Sequence, residues 1–325
     1  MGKVDSIKIF QKKLKIQFPT GYQNWWSNYI FHFTNIDNAA SILNGGYLYS
    51  RNLAVKHGLM LNDNADKTVI HDKTPVSHKD YVRFYFAAKT PTQYHNEGIK
   101  TKKELIHGAH CPVPVFFLFD FASILSINNI EFSSGNIANS GVKIYKDIED
   151  LQELEFDKIY KDGSSRDKHE TYCRHAEVLV RDSLRLDNDV LKYILVRSEA
   201  ERETLLFLLD GKQRLQYADK IKVFSGDGIY FANRYFLDKV ILQNDKDIEF
   251  CFSNHDTAKE FEFQINIENS QQSIIKNYKG VHKAVKLIRA SLPITIIDWI
   301  KVELNIDGNL IYRGILYGYD DEIPF

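Results

Sequence analysis

Residues Val113 to Phe121 are almost wholly apolar, and this run constrains the fold more tightly than any other stretch of the chain. It is too short to cross a membrane, so it reads as a strand buried on both faces near the centre of a sheet. Such a strand needs other elements layered around it. A chain of 325 residues can supply them, in one or two domains. Hydrophobic residues at 44% and charged residues at 26% match an ordinary globular protein and exclude a disordered or fibrous one. No apolar run reaches membrane-spanning length, and the lysine-rich start lacks the apolar core of a secretory signal, so no membrane contact is expected. The three cysteines, Cys111, Cys173 and Cys251, are scattered, which suits a reducing cytoplasm better than a disulfide framework. Net charge is −1, so any nucleic-acid contact must come from a local patch.

Other elements follow from local pattern. Residues 3–17 are predicted to form a short helix with Ile7, Phe10, Leu14 and Ile16 on one face. Residues 56–79 read as a long surface excursion, a kind of loop often tied to function. Ile194 to Val196 is a short strand. Ser198 and Glu201 then form a capping box for a helix that buries Leu205, Leu206, Leu208 and Leu209. Beyond residue 220 the chain turns strand-rich, at Val240–Leu242, Glu249–Phe252 and Phe261–Ile267. Val281, Val285 and Ile288 have helical spacing. Ile300, Val302, Leu304 and Ile306 alternate with polar residues, and Asp307-Gly308 supplies a tight hairpin turn. The expected organisation is residues 1–219 as one domain and 220–325 as a β-rich subdomain.

Two stretches carry polar groups suited to chemistry. In Arg174-His175-Ala176-Glu177-Val178-Leu179-Val180, one carboxylate opens an apolar strand, downstream of a polar loop from Lys158 to Cys173. Taken alone, Glu177 is either a strand-edge residue facing water or a catalytic group at a cleft. In Phe31-His32-Phe33-Thr34-Asn35 the alternation puts His32 and Thr34 on one strand face. Ile36 to Gly46 follows as a short helix, capped by Asn35 or Asp37 and closed by Gly45.

In order along the chain, His32-Phe-Thr34-Asn-Ile-Asp-Asn38, Ile42-Leu43-x-Gly45, Tyr81-Val-Arg-Phe-Tyr85-Phe86-x-x-x-x-Pro91 and Arg174-His-Ala-Glu177-Val-Leu-Val resemble the DarT-type ADP-ribosyltransferases of the diphtheria-toxin-like and PARP-like superfamily. The resemblance covers residues 29–200. It implies an α+β fold with a split antiparallel β-sheet core and flanking helices, here followed by a β-rich C-terminal extension. It also implies NAD as co-substrate and single-stranded DNA or RNA as acceptor. A toxin–antitoxin or phage-defence setting and a cognate antitoxin partner are further implications. By the same match Glu177 is catalytic, His32, Thr34 and Asn38 hold NAD, and Tyr85, Tyr81 or Phe86 stacks on nicotinamide, with Tyr85 preferred.

Two departures bear on the acceptor. Members that modify thymidine carry an arginine between the first helix and the aromatic strand, where residues 56–79 have none. Arg51, just upstream, is the expected substitute against the pyrophosphate or acceptor. The family's Arg-Ser-Pro-Met is replaced by Lys89-Thr90-Pro91-Thr92. The competing classes are a metal-independent nuclease using Glu170 or Glu177 with His169 or His175, and an NAD-binding module on a degenerate transferase fold. His95, His107, His110 and Cys111 lack the spacing of a metal motif and read as surface or structural residues, so no metal is expected.

Overall fold

The computed structural model describes residues 2–59, 76–106, 108–163, 166–224, 226–254 and 256–318. Most of the 56–79 excursion, together with His107, Ser164 and Ser165, therefore lies outside the described residues. The first part of the chain runs α1 (Lys3–Gln17), α2 (Gly21–Trp26), β1 (Tyr29–Asn35), α3 (Ile36–Gly45), β2 (Tyr47–Tyr49), α4 (Arg51–Lys56) and β3 (Tyr81–Tyr85). Next come α5 (Pro91–Asn96), β4 (Pro114–Asp120), α6 (Phe121–Leu125), β5 (Glu131–Ser133), β6 (Ile144–Tyr145), α7 (Phe156–Ile159) and α8 (Lys168–Cys173). This half closes with β7 (Glu177–Arg181), β8 (Ser183–Arg185), β9 (Leu191–Val196), α9 (Glu199–Leu208), α10 (Gly211–Tyr217) and β10 (Ile221–Val223).

The apolar run from Val113 is β4, an internal strand of an eight-stranded sheet ordered β10-β9-β4-β1-β3-β7-β5-β6. Val115 to Phe119 are buried without alternation, as a strand covered on both faces requires. All neighbours are antiparallel except β10 and β9. The sheet is split near its middle. β1 pairs with β4 along its whole length, from Tyr29↔Asp120 to Asn35↔Pro114, but meets β3 at one register position, Phe31↔Tyr85. The fold is α+β with a split sheet, as the sequence leads one to expect.

The C-terminal strands are β11 (Phe236–Gln243), β12 (Asp247–Ser253), β13 (Glu260–Asn269), β14 (Ile274–Lys283), β15 (Leu287–Ser291), β16 (Trp299–Ile306) and β17 (Asn309–Tyr317). They form two sheets, β11-β12-β15 and β14-β13-β16-β17. Phe252 of β12 meets Phe263 of β13 edge-on at 6.0 Å, so the inner faces share a core. Asp307 and Gly308 both take positive φ, 48° and 78°, and close the β16–β17 hairpin as its Asp-Gly signal demands.

Helix α9 joins the halves. Ser198 Oγ donates to the Leu237 carbonyl at 2.7 Å, Tyr312 Oη donates to Glu203 at 2.9 Å, and Thr204 Oγ1 accepts the Arg313 N–H at 3.1 Å. One continuous hydrophobic cluster runs from Ile7 through β4 to Tyr312. The large sheet itself runs past residue 219, because Ile221 to Val223 add β10 to it.

Several local expectations are corrected. Val281, Val285 and Ile288 are not helical, since β14 and β15 hold Val281 and Ile288. Val281 is exposed on the outermost strand of its sheet, so its spacing reflected no buried helix face. Ile16 is 70% exposed, because nine residues at about 100° each put it opposite Ile7 on α1. α3 is closed by Gly46, at φ 70°, rather than by Gly45. The polar segment after Lys158 is not all loop, because Asp167 caps α8 by accepting the His169 N–H. Ser198 caps α9 as expected, but the Glu201 carboxylate reaches back to the Arg197 N–H.

A buried polar cluster fastens this junction. Arg197 donates to Glu97 at 2.8 Å, and its guanidinium sits between the rings of Tyr230 and Phe236. Glu97 also accepts the Phe231 N–H at 3.0 Å. Burial pushes the nearby Glu201 carboxyl up to about 7, against the pull of Arg197. A carboxyl raised on folding contributes stability that is complete below its unfolded value, near 4.5, and is lost as pH rises through about 7. Glu201→Gln is therefore expected to flatten the fall in melting temperature between those pH values, as read by thermal melts from acid to neutral pH.

Candidate active site

Strand β7 begins at Glu177, anchored by the buried Val178, Leu179 and Val180 behind it. The Glu177 backbone N–H donates to Ser133 Oγ at 3.1 Å, and its Oε2 accepts the Ile137 N–H at 3.0 Å. The side chain is 1% exposed, far more enclosed than a strand-mouth residue facing water. Burial pushes its pKa up, while the Arg83 guanidinium and the Ile137 N–H pull it back. Arg83 Nη1 stands 3.8 Å from Glu177 Oε1. Tyr85 lies directly across the ladder from Glu177, and its ring stacks on Phe33 at 6.2 Å. Burial, then the Glu177 charge, raise the pKa of its hydroxyl.

His32 sits where β1 and β3 part. Its Nδ1 meets the Arg83 carbonyl at 2.9 Å. A carbonyl only accepts, so Nδ1 carries the hydrogen and Nε2 of the neutral ring is an acceptor. Burial lowers the His32 pKa, which favours that neutral form. Phe84 and Phe117 flank the imidazole at 5.9 and 6.3 Å. Thr34 shares the His32 face of β1, and Asn38, in the first turn of α3, donates to Thr34 Oγ1 at 3.2 Å.

The structure therefore brings Arg83, Tyr85 and Glu177 together on one sheet face at the seam, whereas the Phe31↔Tyr85 register puts His32 and Thr34 on the opposite face, where His32 meets the seam through the Arg83 carbonyl. Sequence reading did not single out Arg83. The signal was present in its place two residues before Tyr85, on the same strand face, but the register with β7 had to be known. Arg51 opens α4, beside the other end of β3. Its neighbours Ser50 and Asn52 bond to the Asp182 carbonyl and to Asp80 Oδ1, each at 2.7 Å. Those acids flank the Tyr81↔Arg181 pair. That end of β3 is about 13 Å from the Tyr85↔Glu177 end, at roughly 3.3 Å per residue. Tyr81 lies there too, lining a cavity of about 270 Å³ with Glu131, Lys146, Leu179 and Arg181. Phe86 is fully buried against Phe121, Phe132 and Phe156, so it is core and not a stacking platform.

The residues around the changed family motif are structural. Arg174 donates to the carbonyls of Gly163 and Lys89, at 2.8 and 2.7 Å, and Lys89 pairs with Asp162 at 3.1 Å. A nuclease site is not assembled from the residues weighed for it. His169 pairs with Glu155 at 2.6 Å, Glu170 with Lys161 at 2.8 Å, and His175 with the Thr171 carbonyl at 2.9 Å. His110 bonds to the Gly98 carbonyl at 3.0 Å, and Cys111 is buried in a β-bridge to Glu97. Among the described residues, Glu155, His169 and Cys173 are one group with metal-ligand chemistry, and they are mutually bonded.

A family model described as "ssDNA thymidine ADP-ribosyltransferase, DarT" matches residues 31–231, more than half of the chain. The chain belongs to the DarT family. It is accordingly an ADP-ribosyltransferase that uses NAD. The family region takes in every side chain at the seam. Among solved structures, Thermus sp. 2.9 DarT in complex with ADP-ribosylated ssDNA is similar at 20% identity and a TM-score of 0.50, over 62% of this chain and 96% of that one. The same protein in complex with NAD+ matches at 20% identity and a TM-score of 0.48, over 62% and 98%. Thermosipho africanus DarTG in complex with ADP-ribose matches at 16% identity and a TM-score of 0.46, over 64% of this chain and 53% of that one. No curated protein matched. Among the described residues, no helix is long and apolar enough to cross a membrane.

If His32 holds NAD, His32→Ala is expected to weaken NAD binding about tenfold, the worth of one hydrogen bond. It should also lower the melting temperature modestly, because the Arg83 carbonyl loses its partner. Calorimetry on the folded variant checks this, and an unchanged NAD affinity would sink the assignment.

Proposed function

We propose that this protein transfers ADP-ribose from NAD to thymidine in single-stranded DNA, with Glu177 as the catalytic carboxylate. The supporting observation is the gathering of Arg83, Tyr85 and Glu177 on one face at the split of the sheet, with His32 bonded to the Arg83 carbonyl from the other face. His32 Nε2 accepts a ribose hydroxyl of NAD, Thr34 steadied by Asn38 holds the nicotinamide end, and Tyr85 offers its ring to nicotinamide. The bond between ribose C1′ and nicotinamide breaks, and its electron pair leaves with neutral nicotinamide. The Glu177 carboxylate opposes the positive charge that develops on the ribose. A ring nitrogen of the acceptor base bonds to C1′, and its proton passes to Glu177.

DNA is preferred to RNA because the family description names ssDNA thymidine, and the Thermus relative was solved with ADP-ribosylated ssDNA. The acceptor strand follows the face from Arg83 toward Tyr81, Lys146 and Arg181, with Arg51 at that end against its phosphates. A toxin role with a cognate antitoxin accords with the DarTG relative. The three free cysteines accord with the cytoplasm. We place the boundary of the transferase unit between Phe231 and Phe236, and assign acceptor or partner choice to the strands beyond it.

The test is incubation with labelled NAD and matched single-stranded DNA and RNA oligonucleotides, with and without thymidine or uridine, read by mass spectrometry. An ADP-ribose adduct confined to thymidine-containing DNA is expected. NAD-independent cutting, or an adduct on RNA alone, would overturn the reading.

A further inference from the structure

We propose that Arg83 is the positioning residue of the transfer reaction, joining the His32 seam to Glu177 and holding Glu177 as an aimed carboxylate anion. This rests on the transferase reading above and names a residue that reading leaves without a role. Arg83 reaches both halves of the site. Its backbone carbonyl accepts the His32 Nδ1–H at 2.9 Å, while its Nη1 lies 3.8 Å from Glu177 Oε1. The register puts Arg83 opposite Leu179, hence on the same sheet face as Tyr85 and Glu177, one pair further along.

The two side chains differ sharply in exposure. The Arg83 side chain is 28% exposed and that of Glu177 is 1% exposed. A carboxylate so enclosed tends to keep its proton unless a cation or donors oppose that tendency. Among the described residues, the groups facing Glu177 are Arg83 and Tyr85 from β3, and the Ile137 N–H from the segment after β5. Tyr85 is neutral, and burial raises the pKa of its hydroxyl further. The Ile137 N–H fixes Oε2 but carries no formal charge. Arg83 therefore supplies the positive charge, and it does so beside Oε1, the oxygen that Ile137 does not hold. A guanidinium also cannot be deprotonated in a protein, so its effect persists across the working pH range.

The experiment compares the full-length wild type with Arg83→Gln and Arg83→Lys. Three quantities are read: transfer rate against pH, NAD affinity by calorimetry, and titration of the Glu177 carboxyl by 13C NMR with Glu177→Gln as the assignment control. In Arg83→Gln the Glu177 titration and the acidic limb of the rate profile are both expected to move up by about one pH unit. The rate at neutral pH should fall about tenfold, while NAD affinity holds within about threefold. Arg83→Lys keeps the charge and should restore most of the limb.

An unmoved Glu177 titration in folded Arg83→Gln overturns the proposal. So does a pH-independent loss that Arg83→Lys fails to rescue. If Arg83→Gln does not fold, Arg83→Lys decides alone, since a wild-type limb supports the proposal and a displaced limb overturns it. The NMR titration does not depend on the acceptor. Failure of the thymidine reading would show separately, as a wild type that marks no DNA.

Discussion

Glu177→Gln is expected to leave a folded protein that transfers ADP-ribose at least about a hundredfold more slowly, the scale of losing one pre-organised electrostatic contact. Gln keeps the size of the side chain and an oxygen for the Ile137 N–H. It removes the charge that opposes the cationic ribose. Stability should not suffer, because burial raises the Glu177 pKa, so keeping this carboxylate ionised in the folded state costs stability that Gln does not. The raised carboxyl contributes stability at low pH that is lost as pH rises through its folded value, so a group that cannot ionise is spared this loss. Transfer assays at equal protein and NAD, alongside thermal melts at neutral pH, check both halves. Near-normal transfer by the variant would remove Glu177 from the mechanism.

A chain ending at Lys220 is expected to lose cooperative unfolding altogether. It would lack β10, the edge strand paired to β9. It would also lose the Trp26 Nε1 bond to the Gly228 carbonyl and the Tyr230 hydroxyl bond to the Leu195 carbonyl, at 2.9 and 2.7 Å. Arg197 would keep Glu97 but lose both flanking rings. The face of α9 covered by β11 and β17 would be bared. Exposed core and broken buried polar contacts are the mechanisms behind large losses of stability. Solubility, near-ultraviolet circular dichroism and protease resistance measure the outcome. A soluble fragment that still cleaves NAD would instead establish residues 220–325 as a separable unit.

Much of this was legible in the chain because certain residues act over short range. The unalternating Val113–Phe121 run announced an internal strand, and β4 is one. Asp307-Gly308 announced a hairpin because its backbone needs two positive φ angles, and few other pairs supply them. His32 and Glu177 could be named from motif order. What escaped depends on register between distant strands. Arg83 gains its place only once β3 is set against β7 and the imidazole of His32 reaches across the split. Phe86 and Tyr85 are adjacent in sequence, yet one is core and the other stands beside Glu177, because side chains alternate across a strand. Val281 and Ile288 matched a helical period by coincidence, and cross-strand pairing with β13 and β12 overrode it. The contacts of Glu97 with Arg197 and Phe231 join positions 100 and 134 residues apart, and nothing local foretells them.

The central claim is that the split of the sheet is a transfer site working through Glu177. Its most direct test is mass spectrometry of a thymidine-containing single-stranded oligonucleotide after incubation with NAD and either wild type or Glu177→Gln. The account predicts one ADP-ribose on thymidine with the wild type and almost none with the variant. Equal adduct from both proteins, or NAD consumed by the wild type with the oligonucleotide left unmodified, would contradict it.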